Sequence, residues 1–146
     1  MTKAIYFDMD GTIANLYGVE NWLEKILNED TSLYTDATPL LRLSTLARLL
    51  NNLQRKGYII GVISWLAKNG SENYNLAVTE AKINWLKTHL ASVNFDEIFI
   101  VEYGTPKEKV ATFPNGILFD DEIQNRENWN GNAFSEKEIL EILKAL

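Results

Sequence analysis

Apolar residues follow two rhythms along this chain, short unbroken runs and runs that recur every third or fourth position. Lys3 to Phe7 (KAIYF) is a short run closed by Asp8, the pattern of a strand buried on both faces. Tyr58 to Ser64 (YIIGVIS), Glu97 to Val101 (EIFIV) and Gly116 to Phe119 (GILF) repeat it. Between them the period is helical. Val19 to Asn28 and Pro39 to Lys56 read as helices, the second carrying Leu43, Leu46, Leu49, Leu50 and Leu53 on one side and stopped by Gly57. Glu72 to Leu90 is the next, with Leu76, Ile83, Leu86 and Leu90 as its expected inner face. Ser135 to Leu146 closes the chain, with Ser135 as N-cap and Glu138 completing a capping box.

Strands separated by helices imply parallel pairing through right-handed crossovers. The expected fold class is therefore α/β, a doubly wound, Rossmann-like three-layer parallel sheet, formed by residues 1–146 as a single domain. Such a sheet holds ligands outside the carboxyl ends of its strands, where the strand order reverses. The polar residues that end the strands are Asp8 with Asp10, Ser64, and Asp120 with Asp121.

Composition narrows the partners. The 146 residues are 46% hydrophobic and 23% charged, ordinary for a globular domain, and no window has the roughly 18 apolar residues of a membrane span. There is no cysteine, so disulfides, thiolate metal sites and thiol nucleophiles are excluded. No secretory leader is evident, which gives a cytoplasmic expectation. Twenty acidic against 14 basic residues, a net charge of −6, argue against nucleic acid or an anionic membrane as partner.

The strand ends carry the chemistry. In FDMDGT (Phe7–Thr12), Asp8 and Asp10 stand two residues apart and project to one side, and Gly11 lets the chain turn. Close carboxylates repel unless a cation lies between them, and a few hard oxygen ligands suit Mg²⁺. One carboxylate can attack phosphorus while the other handles protons. Without such a cation the same residues make an Asx-rich turn. Ser64 can donate to a phosphoryl oxygen or simply cap a turn. Lys107 and Lys109, after Pro106, can neutralise phosphate or sit at the surface, and Lys107 is preferred because it lies nearer the strand end. Asp120 and Asp121 have no packing reason to end a buried strand, which points to metal.

Taken in order, FDMDGT, the serine of GVIS, a lysine of GTPKEK and FDDE resemble the four motifs of the haloacid dehalogenase (HAD) superfamily of hydrolases, from Ile5 to about Trp129. The resemblance implies a Mg²⁺-dependent phosphatase acting on small phosphate monoesters. Asp8 would be the nucleophile and a metal ligand. Asp10 would be general acid, then general base, with its backbone carbonyl on the metal. Ser64 would bind the phosphoryl group, Lys107 steady the charge, Asp120 complete the metal site, and Asp121 act from behind it or through water. A looser resemblance, in EAKINWLKTHL (Glu80–Leu90) and ILFDDE, is to the 5′(3′)-deoxyribonucleotidases, which implies nucleotide substrates. His89, the only histidine, reads as a polar residue at a helix end.

With Pro39–Lys56 spent as a crossover helix, residues 16–38 are left as a small helical flap, with Tyr17, Trp22 and Tyr34 as lid aromatics. A full helical-bundle cap does not fit this length, so the site is expected to have minimal or no cap. Two other readings stay open: a phosphatase for macromolecular ends or phosphoproteins, and a silent binding domain that keeps the fold.

Overall fold

The computed structural model describes residues 2–146. Strand β1 (Ala4–Phe7) is the centre of a five-stranded sheet that also contains β4 (Ile59–Trp65), β5 (Glu97–Val101), β6 (Ile117–Phe119) and β7 (Ala133–Phe134). The order is β5-β4-β1-β6-β7 and every neighbouring pair is parallel. The chain winds outward through β4 and β5, then returns to the other side of β1 for β6, so the order reverses beside β1. β1 is wholly buried, and its alternation divides the core. Ile5 and Phe7 pack with α3 (Leu43–Arg55), the end of α4 (Glu72–His89) and α7 (Ile139–Lys144) on one face. Ala4 and Tyr6 pack with Ala111, Leu118 and Trp129 on the other. The expected three-layer doubly wound sheet is the observed one.

Details differ from the periodic reading. β7 adds a fifth strand of only two residues, too short for any pattern to announce. The second helix starts at Leu43 rather than Pro39, because Thr38–Pro39 forms strand β3 and pairs antiparallel with β2 (Ala14–Asn15). A proline tolerates this edge position, and the Leu40 N–H donates to the Ile13 carbonyl at 2.9 Å. The closing helix begins as a 3₁₀ turn at Glu136–Glu138. Its capping-box pair is present, with the Ser135 N–H donating to the Glu138 carboxylate at 2.9 Å.

Residues 16–38 hold a 3₁₀ turn (Leu16–Gly18), α1 (Trp22–Leu27, shorter than the expected Val19–Asn28) and α2 (Ser32–Asp36). They dock on the start of α4. The Ser71 N–H donates to Glu29 Oε2 at 2.8 Å, the Tyr74 hydroxyl donates to the Asp30 carbonyl at 2.8 Å, and Leu16, Leu33 and Tyr34 pack on Tyr74 and Val78. This docking turns α4. Leu76, expected inside, is 65% exposed and Ile83 is half-buried, whereas Tyr74, Val78, Lys82, Trp85 and Leu86 are buried. Because α4 lies between the sheet and this segment, it has no single apolar stripe. Among the described residues no helix is long and apolar enough to cross a membrane.

Candidate active site

The carboxyl ends of β1, β4 and β6 converge as the sheet topology demands. Asp8 continues the ladder past β1, its N–H donating to the Phe119 carbonyl at 2.9 Å, and the chain then turns back on itself. The N–H groups of Thr12, Ile13 and Ala14 all donate to the Met9 carbonyl. Gly11 sits in this turn at φ +80°, and a Cβ there would collide with the Asp121 carboxylate. The motif thus needs its glycine twice over, for backbone conformation and for the approach of Asp121.

The side chains form two charge clusters. In one, Lys107 Nζ lies 2.9 Å from Asp8 Oδ1 and 2.7 Å from Asp120 Oδ2, fully enclosed. The Thr12 hydroxyl reaches Asp8 Oδ2 at 3.0 Å and Asp121 Oδ1 at 3.3 Å, and receives the Asp121 N–H at 3.1 Å. Asn125 and the Glu122 N–H bond the two oxygens of Asp120. In the other, Lys82 Nζ, likewise enclosed, donates to Asp10 Oδ2 at 2.8 Å, Ser64 Oγ at 2.7 Å and the Trp65 carbonyl at 2.6 Å. All five side chains expected at the site, Asp8, Asp10, Ser64, Lys107 and Asp120, are brought to this floor. Lys109 is exposed, and His89 lies against Trp85 outside the cavity.

Pattern reading missed Thr12, Asn125 and Lys82. Thr12 had a signal in its place four residues after Asp8 inside the motif. Lys82 had none, since a lysine on a helix normally reads as solvated.

Electrostatics set the carboxylates apart. Burial would raise Asp8, but the Lys107 charge, hydrogen bonding from Asp121 and Lys107, and the Lys82 charge together hold it below its ordinary value. Asp10 is raised, chiefly by burial and with help from the Asp8 charge, against the opposing pull of Lys82. Asp120 is pushed up to about 6 and Asp121 to about 8, in each case by burial first and the Asp8 charge next. Lys107, despite burial, is pushed up to about 12 by the charges of Asp8 and Asp120.

Asp8, Asp120 and Asp121 each present a carboxylate oxygen, all within 4.8 Å of one another. Three hard oxygen donors beside a water-accessible cavity fit Mg²⁺. Two ammonium groups face four carboxyl groups at the floor, so only with all four ionised would the set carry an excess of two negative charges. The Asp10 carboxylate, expected to move protons while only its backbone carbonyl meets the metal, is bonded to Lys82, and Asp121, expected behind the site or acting through water, presents an oxygen to this group.

Above the floor opens a cavity of about 320 Å³. Tyr17 and Trp22, packed edge to face at 4.9 Å, form one wall together with Leu23 and Ile26. Trp65 and Tyr103, with centroids 5.1 Å apart, form the other, and Lys107 lies 5.5 Å from the Trp65 ring centre. Tyr34, expected as a lid aromatic, also lines the cavity, buried with its ring 5.3 Å from Lys82.

This architecture is shared with known phosphatases. A D,D-heptose 1,7-bisphosphate phosphatase from Burkholderia thailandensis superposes with a TM-score of 0.53 over 86% of this chain and 70% of its own, at 15% sequence identity. The fold is that of the HAD-like phosphatases. A Mesorhizobium loti protein described as a HAD-like phosphatase matches equally, with a TM-score of 0.53 and 15% identity over 87% of this chain and 66% of its own. No protein-family model and no curated protein matches the chain.

Proposed function

We propose that this chain is a Mg²⁺-dependent phosphatase that hydrolyses small phosphate monoesters through an aspartyl-phosphate on Asp8. One observation carries the reading. Asp8 lies at the bottom of a cavity, kept ionised by an enclosed lysine, and a second carboxylate two residues on is raised so that it can hold a proton.

Asp8 attacks phosphorus, and the bond to the leaving oxygen breaks as Asp10 protonates that oxygen. In the second half Asp10 takes a proton from water, the water oxygen attacks phosphorus, and the Asp8–phosphorus bond breaks to release phosphate. Ser64 donates to a phosphoryl oxygen, and Lys107 screens Asp8 from the dianion. Asp8, Asp120 and Asp121, with the Asp10 backbone carbonyl, would hold Mg²⁺, which supplies charge neutralisation for the phosphoryl oxygens.

The paired aromatic walls favour a planar leaving group, and nucleoside monophosphates are the substrate class with that shape. Few walls mean modest selectivity. Several unrelated monoesters should fall within about 10- to 200-fold in kcat/KM, the worth of one or two contacts, with nucleoside monophosphates at or near the top. A panel of nucleotides, sugar phosphates including a heptose bisphosphate, aryl phosphate, phosphopeptides and 5′-phosphorylated oligonucleotides tests this. No Mg²⁺-dependent turnover on any of them would leave a binding domain. A preference for the peptides or oligonucleotides would move the substrate to macromolecular ends.

A further inference from the structure

Lys82 is unexplained by the phosphatase chemistry and costly to bury. An ammonium group 1% exposed has lost its hydration, and a methionine of similar length would pack in its place without that loss. What it gains is specific. An ammonium has three N–H donors, and its three partners are the Asp10 carboxylate, the Ser64 hydroxyl and the Trp65 carbonyl, all at 2.6–2.8 Å.

Each bond has a consequence for its acceptor. Ser64 Oγ accepts a hydrogen bond from Lys82 and has no other partner among the described residues, so its own O–H remains free to donate to a bound group. Asp10 Oδ2 is pinned, which leaves Oδ1 as the oxygen available to the cavity that Asp10 lines. The Trp65 carbonyl ties the same ammonium to the end of β4, and the Tyr34 ring covers it.

We infer that Lys82 is a positioning residue. It aims the Ser64 hydroxyl at the phosphoryl group and turns one Asp10 oxygen toward the leaving group, without touching substrate itself. This rests on the phosphatase reading above.

The chain has no cysteine, which permits a clean test. Lys82→Cys, alkylated while unfolded with 2-bromoethylamine and refolded, regains an ammonium on a side chain one sulfur different from lysine. Alkylation with bromoethane gives a neutral analogue that lacks only the terminal nitrogen. For Lys82→Cys on an aryl phosphate we expect kcat to fall about 100-fold, the scale of a misplaced catalytic group, with KM within about threefold. Aminoethylation should restore most of the loss and ethylation none.

A folded Lys82→Cys with near-parental kcat overturns the inference. So does equal rescue by ethylation, which would mean packing alone. A large rise in KM with kcat intact overturns it too, because Lys82 would then bind substrate. A second measurement needs no turnover, and so separates this inference from the phosphatase reading. Calorimetry with inorganic phosphate should show Ser64→Ala weakening binding about tenfold in the parent but having little effect in a Lys82→Gln background. Equal effects in both backgrounds, or none in either, would sink the aiming role even if the parent hydrolyses nothing.

Discussion

Raising the pH of a magnesium titration from 6 to 8 should tighten binding about a hundredfold. The Asp121 carboxyl is pushed up to about 8 by burial, by the Asp8 charge and by its hydrogen bond to Asp8, so the metal-free site holds a proton there at neutral pH. Asp120, pushed up to about 6 by burial and the Asp8 charge, holds a second one in mildly acid solution. A carboxyl must lose its proton to ligate, so protons and metal compete. Competition at Asp121 weakens binding by a factor of about 100 at pH 6 and about 2 at pH 8, and Asp120 adds about twofold at the lower pH. Calorimetry in two buffers of different ionisation enthalpy reads both consequences, the change in Kd and the release of about one proton per Mg²⁺ at pH 7. A Kd that moves less than threefold over this range, or binding without proton release, would refute the placement of Asp121 among the ligands.

The same groups govern metal-free stability, with a definite sign. Their folded values lie above the unfolded ones, so the folded state binds more protons and stability falls as pH rises from about 4 to about 8. For fully enclosed Asp120 the rise from 3.8 to about 6 is worth about 3 kcal/mol. Asp10 acts in the same direction, whereas Asp8, which is lowered, contributes stability that is fully present above about pH 4 and is lost only as pH falls further. Melting curves in EDTA should therefore shift down between pH 5 and 8 and be raised again by millimolar Mg²⁺; a curve flat in pH would contradict this. Asp8→Asn should fold normally, keep its contact with Thr12 and lose at least about a thousandfold in kcat. A folded variant with a tenth of parental activity would exclude Asp8 as nucleophile.

The strand ends were legible because two independent patterns meet there. An unbroken apolar run such as KAIYF or GILF has few structures open to it, and the carboxylates that stop it stand out against the run. The helices gave less. Leu76 matched the spacing of an inner face, yet it is exposed because residues 16–38 cover the opposite side of α4 and bury Tyr74 and Val78. Lys82 lies four residues after Val78 and three before Trp85, on the face facing both the core and the site, so its polarity disguised it. β7 and the β2–β3 pair are two-residue strands. Their pairing depends on neighbours distant in sequence, and no local periodicity encodes that.

Asp8 and Asp10 are one strand-end apart in sequence and each touches one lysine, yet they are shifted in opposite directions. The lysines alone do not account for this, since each is enclosed and within 2.9 Å of its carboxylate. The difference lies in the other neighbours. Asp8 accepts a hydrogen bond from Asp121 that lowers it and has the Thr12 hydroxyl at 3.0 Å, whereas Asp10 is raised first by burial and then by the charge of Asp8 itself. Ionising the first carboxylate therefore helps protonate the second. That is the order a nucleophile and a general acid require, and it follows from putting the Gly11 turn and Thr12 directly behind them. Replacing Thr12 by valine removes a donor to Asp8 while keeping the shape, so the two carboxylates should move closer together in acidity. The measurable trace is a narrower pH–rate profile with its acid limb displaced upward, and an unchanged profile would return the asymmetry to the lysines.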